Sequence, residues 1–170
     1  MMDALEAILS RRSIRKFVSQ PVSDDLIMKL LKAAMNAPSA GNQQPWHFIV
    51  IKDRAILDEI PKIHQYAQML KEAPLAIAIC GDMEKQLHEG YWVQDCSAAT
   101  ENLLLAAHAL GLGAVWLGVH PREERVAGLI NLLHIPEKVI PLCVIAIGHP
   151  GEEKPPAERF FPDRIHYDKW

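Results

Sequence analysis

Residues 91–110 read Tyr-Trp-Val-Gln-Asp-Cys-Ser-Ala-Ala-Thr-Glu-Asn-Leu-Leu-Leu-Ala-Ala-His-Ala-Leu. This is the longest stretch of helical periodicity in the chain, and its only acidic residues are Asp95 and Glu101. A helix that is apolar almost all round lies in the centre of a fold or at a subunit interface. Gly111 and Gly113 follow and are expected to end the helix. The segment therefore predicts a central helix on which the other elements pack.

Other secondary structure alternates on both sides of this helix. Capping residues and apolar periodicity predict helices at 3–10, 24–36 and 122–133. Short β-prone or buried runs predict strands at 46–51, 75–80, 114–119 and 139–147, the second of them ended by Gly81. Two further helical patches, 54–60 and 63–71, are expected to be separated by Pro61. This alternation favours an α+β or α/β sandwich, and with no internal linker it predicts one domain over residues 1–170.

Composition sets the class of protein. The 170 residues are 49% hydrophobic with a formal net charge of −3, which is typical of an ordinary folded domain and gives no general reason to expect nucleic acid or an anionic membrane as partner. Acidic Asp3 and Glu6 stand where a secretory peptide would be basic, and the apolar stretches are short or interrupted. The three cysteines are scattered and are interpreted as small buried residues. The expected compartment is the reducing cytoplasm.

Two segments have the composition of a binding site. Residues 11–15 read Arg-Arg-Ser-Ile-Arg, and three guanidinium groups with a hydroxyl can hold a phosphate, although a solvated basic turn is the alternative. Residues 38–48 read Pro-Ser-Ala-Gly-Asn-Gln-Gln-Pro-Trp-His-Phe. The amides can recognise the edge of a polar heterocycle and Gly41 permits close approach of the backbone, although an ordinary helix-to-strand loop is the alternative.

Several catalytic classes lack their motifs. Residues 111–118 carry three glycines, but their spacing is wrong for a dinucleotide fingerprint and they follow a helix and open a strand, the reverse of the required order. The chain has no phosphate-binding GxxxxGK[ST] loop, no GxSxG elbow and no metal-binding histidine spacing. No catalytic side chain and no metal ligand is therefore predicted, and the chemistry is expected to come from a bound organic cofactor.

Taken together and in this order, the segments resemble the FMN-dependent nitroreductase superfamily in its short form. The resemblance covers essentially the whole chain. It rests on residues 11–17, 37–48, 101–113, 116–118 and 147–150, and on the C-terminal His-Tyr-Asp-Lys-Trp at 166–170. It implies an α+β, three-layer α/β/α sandwich with a mostly antiparallel central sheet. It also implies long central helices that form a homodimer, and an extended C-terminal tail, bearing Ile165, Tyr167 and Trp170, that packs on the partner subunit.

The resemblance also implies cofactor residues. Those expected to hold the FMN phosphate and the edge of the ring are Arg11, Arg12, Ser13 and Arg15, with Arg159 completing the phosphate clamp. Ala157 stands where the family often has a lysine. Pro38, Ser39, Ala40 and Asn42 are expected to approach the flavin from the other subunit. Trp116, Leu117 and Gly118 are expected beside the ring with a backbone N–H near N5, and Leu117 replaces an acidic residue of some larger members. Gln65 and Gln68 are the polar candidates on the remaining side.

The implied activity is electron transfer from NADH or NADPH through flavin N5 to a small oxidised acceptor such as a nitroaromatic, a quinone or a flavin, with ping-pong kinetics. One alternative keeps the flavin fold but changes the reaction to reductive dehalogenation, enone reduction or flavin fragmentation. Another is a non-enzymatic flavin-binding redox sensor. A third is an α/β domain whose arginines serve only dimer salt bridges, which would be colourless.

Overall fold

A computed structural model describes residues 2–170, which contain five α-helices and four β-strands. The helices and strands, in chain order, are α1 (Ala4–Ser10), α2 (Asp24–Met35), β1 (Trp46–Ile51), α3 (Arg54–Ile63), β2 (Leu75–Asp82), α4 (Trp92–Ala109), β3 (Gly113–Gly118), α5 (Glu123–Leu133) and β4 (Val139–Gly148). Short 3-10 turns lie at Ala40–Asn42, Gln68–Lys71, Met83–Lys85 and Pro162–Arg164. Of these helices, none is both long enough and apolar enough to cross a bilayer, a finding that covers residues 2–170.

The four strands form one antiparallel sheet in the order β1-β2-β4-β3. Successive residues of a strand point to opposite faces of the sheet. In β2 the side chains on the two faces differ in size. Ile77 and Ile79 face α2 and α4, whereas Ala76 and Ala78 face α3 and α5. The helices thus cover both faces, and the predicted three-layer α+β sandwich with an antiparallel sheet is confirmed.

Helix α4 runs through the middle of one layer, as its sequence predicts. Its buried face includes Cys96, Ala99 and Leu103, while residues on its other side, such as Ala98 and Leu105, stay partly exposed. Cys80, Cys96 and Cys143 are free, buried thiols, and burial raises the pKa of Cys80 and Cys143 to about 12. The interpretation of the cysteines as small core residues is confirmed.

Two boundary predictions are wrong. Pro61 does not break the helix, because α3 continues to Ile63. A proline in the last turns of a helix removes one backbone hydrogen bond, but the N–H of His64 still donates to the carbonyl of Ile60 at 2.9 Å. The second predicted patch is reduced to the 3-10 turn at Gln68–Lys71.

Nor does Gly81 end the second strand, which continues to Asp82. A Cβ atom at Gly81 would lie 2.4 Å from the Trp92 ring, so this glycine makes room for α4 against the strand instead.

The chain after β4 has no helix or strand apart from the Pro162–Arg164 turn, as predicted. Within one chain its large apolar side chains are exposed: Phe160 is 66% exposed, Tyr167 85% and Trp170 fully. Packing of this tail on a partner subunit stays a prediction.

Candidate active site

The arginine-rich segment 11–15 runs beside the edge strand β3. Ser13 forms a parallel bridge with Ala114, and the N–H of Ile14 donates to the Ala114 carbonyl at 3.0 Å. A Cβ atom on Gly113 would lie 2.7 Å from Cγ2 of Ile14, so Ile14 lies tightly against the start of β3. Because side chains alternate along an extended segment, Arg12 and Arg15 border different cavities.

Arg15 and the end of β3 line one open cleft of about 560 Å³. This volume is in the usual range for small-molecule and cofactor sites. The predicted residues Trp116, Leu117 and Gly118 line the cleft, and so do the polar candidates Gln65 and Gln68. The structure therefore brings together Arg15 of the arginine-rich segment, the predicted ring-side segment and both glutamines, although these three parts lie far apart in the sequence.

Gly118 leaves space in this cleft for a flat ligand. A Cβ atom added at Gly118 would have no other atom within 4 Å, so the backbone at this point is bare on the side that a side chain would occupy. Close approach of a backbone to a ring is the kind of contact for which glycine is required. Met69 and Trp116 add apolar surface and Arg15 adds a positive charge, so the residues present fit an anionic, planar cofactor.

His64 and Arg125, which also line the cleft, hold the end of β3 in place through the Gly118 carbonyl. Nε2 of His64 lies 2.9 Å from the Gly118 carbonyl, and Nη1 of Arg125 donates to the same oxygen at 3.0 Å. The backbone N–H of Tyr66 donates to Nδ1 of His64 at 3.3 Å, so the imidazole carries its proton on Nε2 and donates it to Gly118. Burial, followed by the charge of Arg125, lowers the pKa of His64. Sequence reasoning missed this pair, since neither residue belongs to a motif.

The other two arginines of the segment are already engaged within the chain. Arg11 forms an ion pair with Glu101 of α4 at 3.4 Å. Arg12 donates from Nε to the Pro155 carbonyl at 3.1 Å and from Nη1 to the carbonyls of Leu9 and Arg11. Its Nη2 is buried with no partner among residues 2–170, beside a recess of about 380 Å³. An unpaired buried guanidinium nitrogen is costly, and the recess beside it also carries Glu152, Glu153 and Lys154, so its charge is mixed.

The C-terminal tail begins against the same segment. The N–H of Arg15 donates to Oε1 of Glu152 at 2.6 Å, and that of Gly151 donates to the Lys16 carbonyl at 2.8 Å. The bond from Arg15 lowers the pKa of Glu152, with a smaller contribution from nearby Lys154. Arg159 lies further along the exposed tail, and its role in a phosphate clamp remains a prediction.

The loop that carries Pro38, Ser39, Ala40 and Asn42 does not line the cleft of its own chain. It forms a 3-10 turn in which Gly41 and Asn42 have positive φ angles of 54° and 55°. The Ala40 N–H donates to Oδ1 of the buried Asp95 at 2.9 Å, which ties the loop to α4. This location agrees with the expectation that the loop serves the site of another subunit, and that expectation stays a prediction.

Comparison with known proteins shows the same architecture. The family model described as "Nitroreductase family" matches residues 8–149. A Methanothermobacter thermautotrophicus protein, provisionally named NADH dehydrogenase/NAD(P)H nitroreductase, is 54% identical over 99% of this chain and 88% of its own length. A crystal structure from Parabacteroides distasonis with the same provisional name superposes with a TM-score of 0.94 at 42% identity, covering 98% of each chain.

A further crystal structure is that of a provisionally named nitroreductase from Desulfovibrio desulfuricans in complex with FMN. It is 34% identical to this chain, with a TM-score of 0.85 over 98% of this chain and 96% of that one. The resemblance seen in the sequence is thus confirmed over nearly the full length, and the chain belongs to the nitroreductase family, a family of oxidoreductases.

Proposed function

We propose that this chain is an FMN-dependent oxidoreductase that transfers electrons from NADH or NADPH to a small oxidised acceptor. The observation that carries the proposal is the cleft where Arg15 and the bare backbone of Gly118 face the same space. Bound FMN would supply the redox chemistry, accepting hydride at N5 and passing electrons on. The relative provisionally named NAD(P)H nitroreductase and the FMN complex of a structural neighbour support both cofactors.

The residues of the chain bind and orient the cofactor. Arg15 provides positive charge at the cleft, and Arg11, Arg12, Ser13 and Arg159 are the other proposed phosphate ligands. For Arg11 and Arg12 this role requires that they exchange their contacts with Glu101 and the Pro155 carbonyl for the phosphate. Met69 and Trp116 provide apolar surface for the ring. A positive charge near the ring would also favour the anionic reduced flavin.

No side-chain acid is available at position 117, where leucine is 4% exposed. A backbone N–H of the 116–118 segment is therefore the proposed donor toward N5. His64 and Arg125 support this role because they hold the Gly118 carbonyl in place.

The cleft is open on one side, and one cleft serving both partners implies ping-pong kinetics. The reduced nicotinamide would occupy the open face first and leave before the acceptor enters. Nitroaromatics, quinones and flavins are the proposed acceptors, because a shallow cleft without charged residues beyond Arg15 and Arg125 can stack many flat molecules.

We further propose that the active form is a homodimer. On α1, Leu5 and Leu9 are 71% and 73% exposed, and the tail exposes Phe160, Tyr167 and Trp170. Strand β1 lies at one edge of the sheet, and grooves with apolar walls run along it. An open edge strand can pair with another chain, and exposed aromatic side chains such as those of the tail are typical of subunit interfaces. Free cysteines suit the reducing cytoplasm as the compartment.

The test is an absorption spectrum of the purified protein, repeated after anaerobic addition of NADH or NADPH. A flavin spectrum that bleaches is the expected result. A flavin that does not bleach with either donor would favour the redox-sensor alternative or a different reductant. A colourless protein that fails to take up added FMN would refute the assignment and leave the arginines as structural groups.

Once bleaching is established, anaerobic addition of each candidate acceptor tests the reaction class. Return of the oxidised spectrum with a nitroaromatic or a quinone is expected. Return only with a halogenated substrate or an enone would support the alternative reactions. Parallel double-reciprocal plots at varied donor and acceptor concentrations are the expected sign of the ping-pong order.

A further inference from the structure

Asp95 is a buried carboxylate whose two oxygens accept hydrogen bonds from the predicted flavin loop. Oδ1 accepts the Ala40 N–H at 2.9 Å, and Oδ2 accepts from Nε2 of Gln43 at 2.5 Å. Asp95 is 4% exposed and Gln43 is 8% exposed. A buried carboxylate is costly unless its oxygens accept hydrogen bonds, and these two donors therefore offset the cost of burying Asp95.

The Gln43 amide extends the network to a third segment. Its Oε1 accepts the backbone N–H groups of Leu87 and His88 at 2.8 and 3.0 Å. An ionised carboxylate only accepts and a backbone N–H only donates, so the amide nitrogen must face Asp95 and the amide oxygen must face residues 87 and 88. The direction of the hydrogen bonds is therefore fixed by the backbone N–H groups at one end of the network and by the carboxylate at the other.

The network closes around the turn at Gly41. A Cβ atom at Gly41 would lie 2.5 Å from Nε2 of His88, so the His88 ring lies directly against the backbone of the loop. Gly41 and Asn42 both adopt left-handed φ angles, a conformation that holds only when the surroundings support it. Asp95 and Gln43 thus support the loop through hydrogen bonds, and the His88 ring packs against the loop backbone at Gly41.

We propose that Asp95 and Gln43 are positioning residues for the cofactor site, holding Ser39, Ala40 and Asn42 in the conformation that meets FMN. The inference rests on the proposed function, because the loop matters to catalysis only where FMN is bound. Neither side chain touches the cofactor in this proposal. They act through the backbone of the loop and through the 87–88 segment that packs on it.

Exchange of the carboxylate and the amide between the two positions provides a direct test. In Asp95→Asn, the new amide nitrogen would face Nε2 of Gln43, and two donors would oppose each other. In Gln43→Glu, two carboxylates would face each other. In the double variant, the new amide at position 95 can accept from Ala40 and donate to the new carboxylate at position 43. The second oxygen of that carboxylate can accept from Leu87 and His88, so all four hydrogen bonds of the network are restored.

The measurement is the dissociation constant of FMN, from quenching of flavin fluorescence, alongside the melting temperature of each apoprotein. Each single variant is expected to weaken FMN binding about tenfold or more, since a buried donor or acceptor loses its partner. The double variant is expected to return to within a few-fold of the wild type. Thr100→Val is the matched control, because Thr100 is a buried hydrogen-bonding residue of the same helix that contacts Cys96 and Cys143 and not the loop.

The control separates positioning from general stability. Thr100→Val is expected to lower the melting temperature while leaving FMN affinity unchanged. Single variants that fold and bind FMN as tightly as the wild type would overturn the inference. A double variant that binds FMN no more tightly than Asp95→Asn would also overturn it, and this comparison needs only Asp95→Asn if Gln43→Glu alone fails to fold. Failure of the wild type to bind FMN would instead refute the proposed function.

Discussion

Replacing Gly118 with alanine should have opposite effects on folding and on cofactor binding. The φ angle of Gly118 lies outside the left-handed region and a Cβ atom there meets nothing within 4 Å, so alanine fits the apoprotein. A compatible Gly→Ala change stabilises a protein by about 0.4–1 kcal/mol, because the unfolded chain has fewer conformations to lose. For a chain of this size we expect the melting temperature of the apoprotein to rise by about 1–4 °C.

The same methyl group should impair FMN binding. It would project into the space where the ring is proposed to approach the end of β3. Inserting a methyl group into a closely packed contact costs about 1–3 kcal/mol. We therefore expect the dissociation constant of FMN to increase roughly 5- to 150-fold.

Two measurements test this prediction: thermal unfolding of the apoprotein and fluorescence titration with FMN. Gly148→Ala is the matched control at the other end of the sheet, where the new Cβ atom would lie 2.7 Å from Pro74. That change should lower the melting temperature and leave FMN affinity unaltered. A Gly118→Ala protein that binds FMN like the wild type would refute the proposed position of the ring. A destabilised apoprotein would refute the inference that a Cβ atom at position 118 meets no neighbouring atom.

Three further predictions follow from the site and the tail. Arg15→Ala should weaken FMN binding by about 1.5–3 kcal/mol, the usual value of a hydrogen bond to a charged group, and the loss should shrink at high salt in a titration series. Because burial lowers the pKa of His64, the unfolded chain takes up this proton before the native state does. Stability should therefore be full above pH 6.5 and decline as the pH falls below it, with a shallower decline in His64→Gln, as measured by urea unfolding between pH 5 and 8. Deleting residues 160–170 should convert the proposed dimer into a monomer in sedimentation velocity, because the aromatic side chains of that segment are exposed within one chain.

For each of these three predictions, a specific result would contradict the reasoning. Unchanged FMN affinity in Arg15→Ala would remove that arginine from the phosphate site. An equal pH slope in His64→Gln would assign the acid sensitivity to another group, such as His108, whose pKa is lowered by burial and by Arg11 and Arg12. A truncated protein that stays dimeric would show that the interface does not need the tail.

Local signals in the sequence were sufficient to predict most of the fold. Asp3 and Ser23 cap α1 and α2 through the side-chain contacts that their positions suggest. The errors at Pro61 and Gly81 came from applying local rules where tertiary contacts decide. The proline lies where the helix is about to end, and the glycine accommodates Trp92, which follows it by 11 positions.

The candidate site was predictable only in its contiguous parts. Residues 11–15, 38–42 and 116–118 each form a short run, and their composition is visible without a structure. His64 and Gly118 are 54 positions apart, and Gln43 and Asp95 are 52 apart. Each pair depends on how helices pack beside strands, which no local pattern encodes. A single histidine or aspartate in an apolar setting has no property in the sequence that reveals its partner.

The strand order has a consequence for how the protein is made. The sheet runs β1-β2-β4-β3, so the strand synthesised last lies between two that precede it. Within this sheet β3 pairs with β4, and Gly118 reaches its position opposite Cys143 only after residues 139–148 have left the ribosome. Gly118 and Cys143 are 25 positions apart, and pairings that are not local in sequence slow folding. In the proposed binding mode, capture of FMN follows synthesis of β4, because Gly118 is held in the sheet only after β3 has paired with that strand.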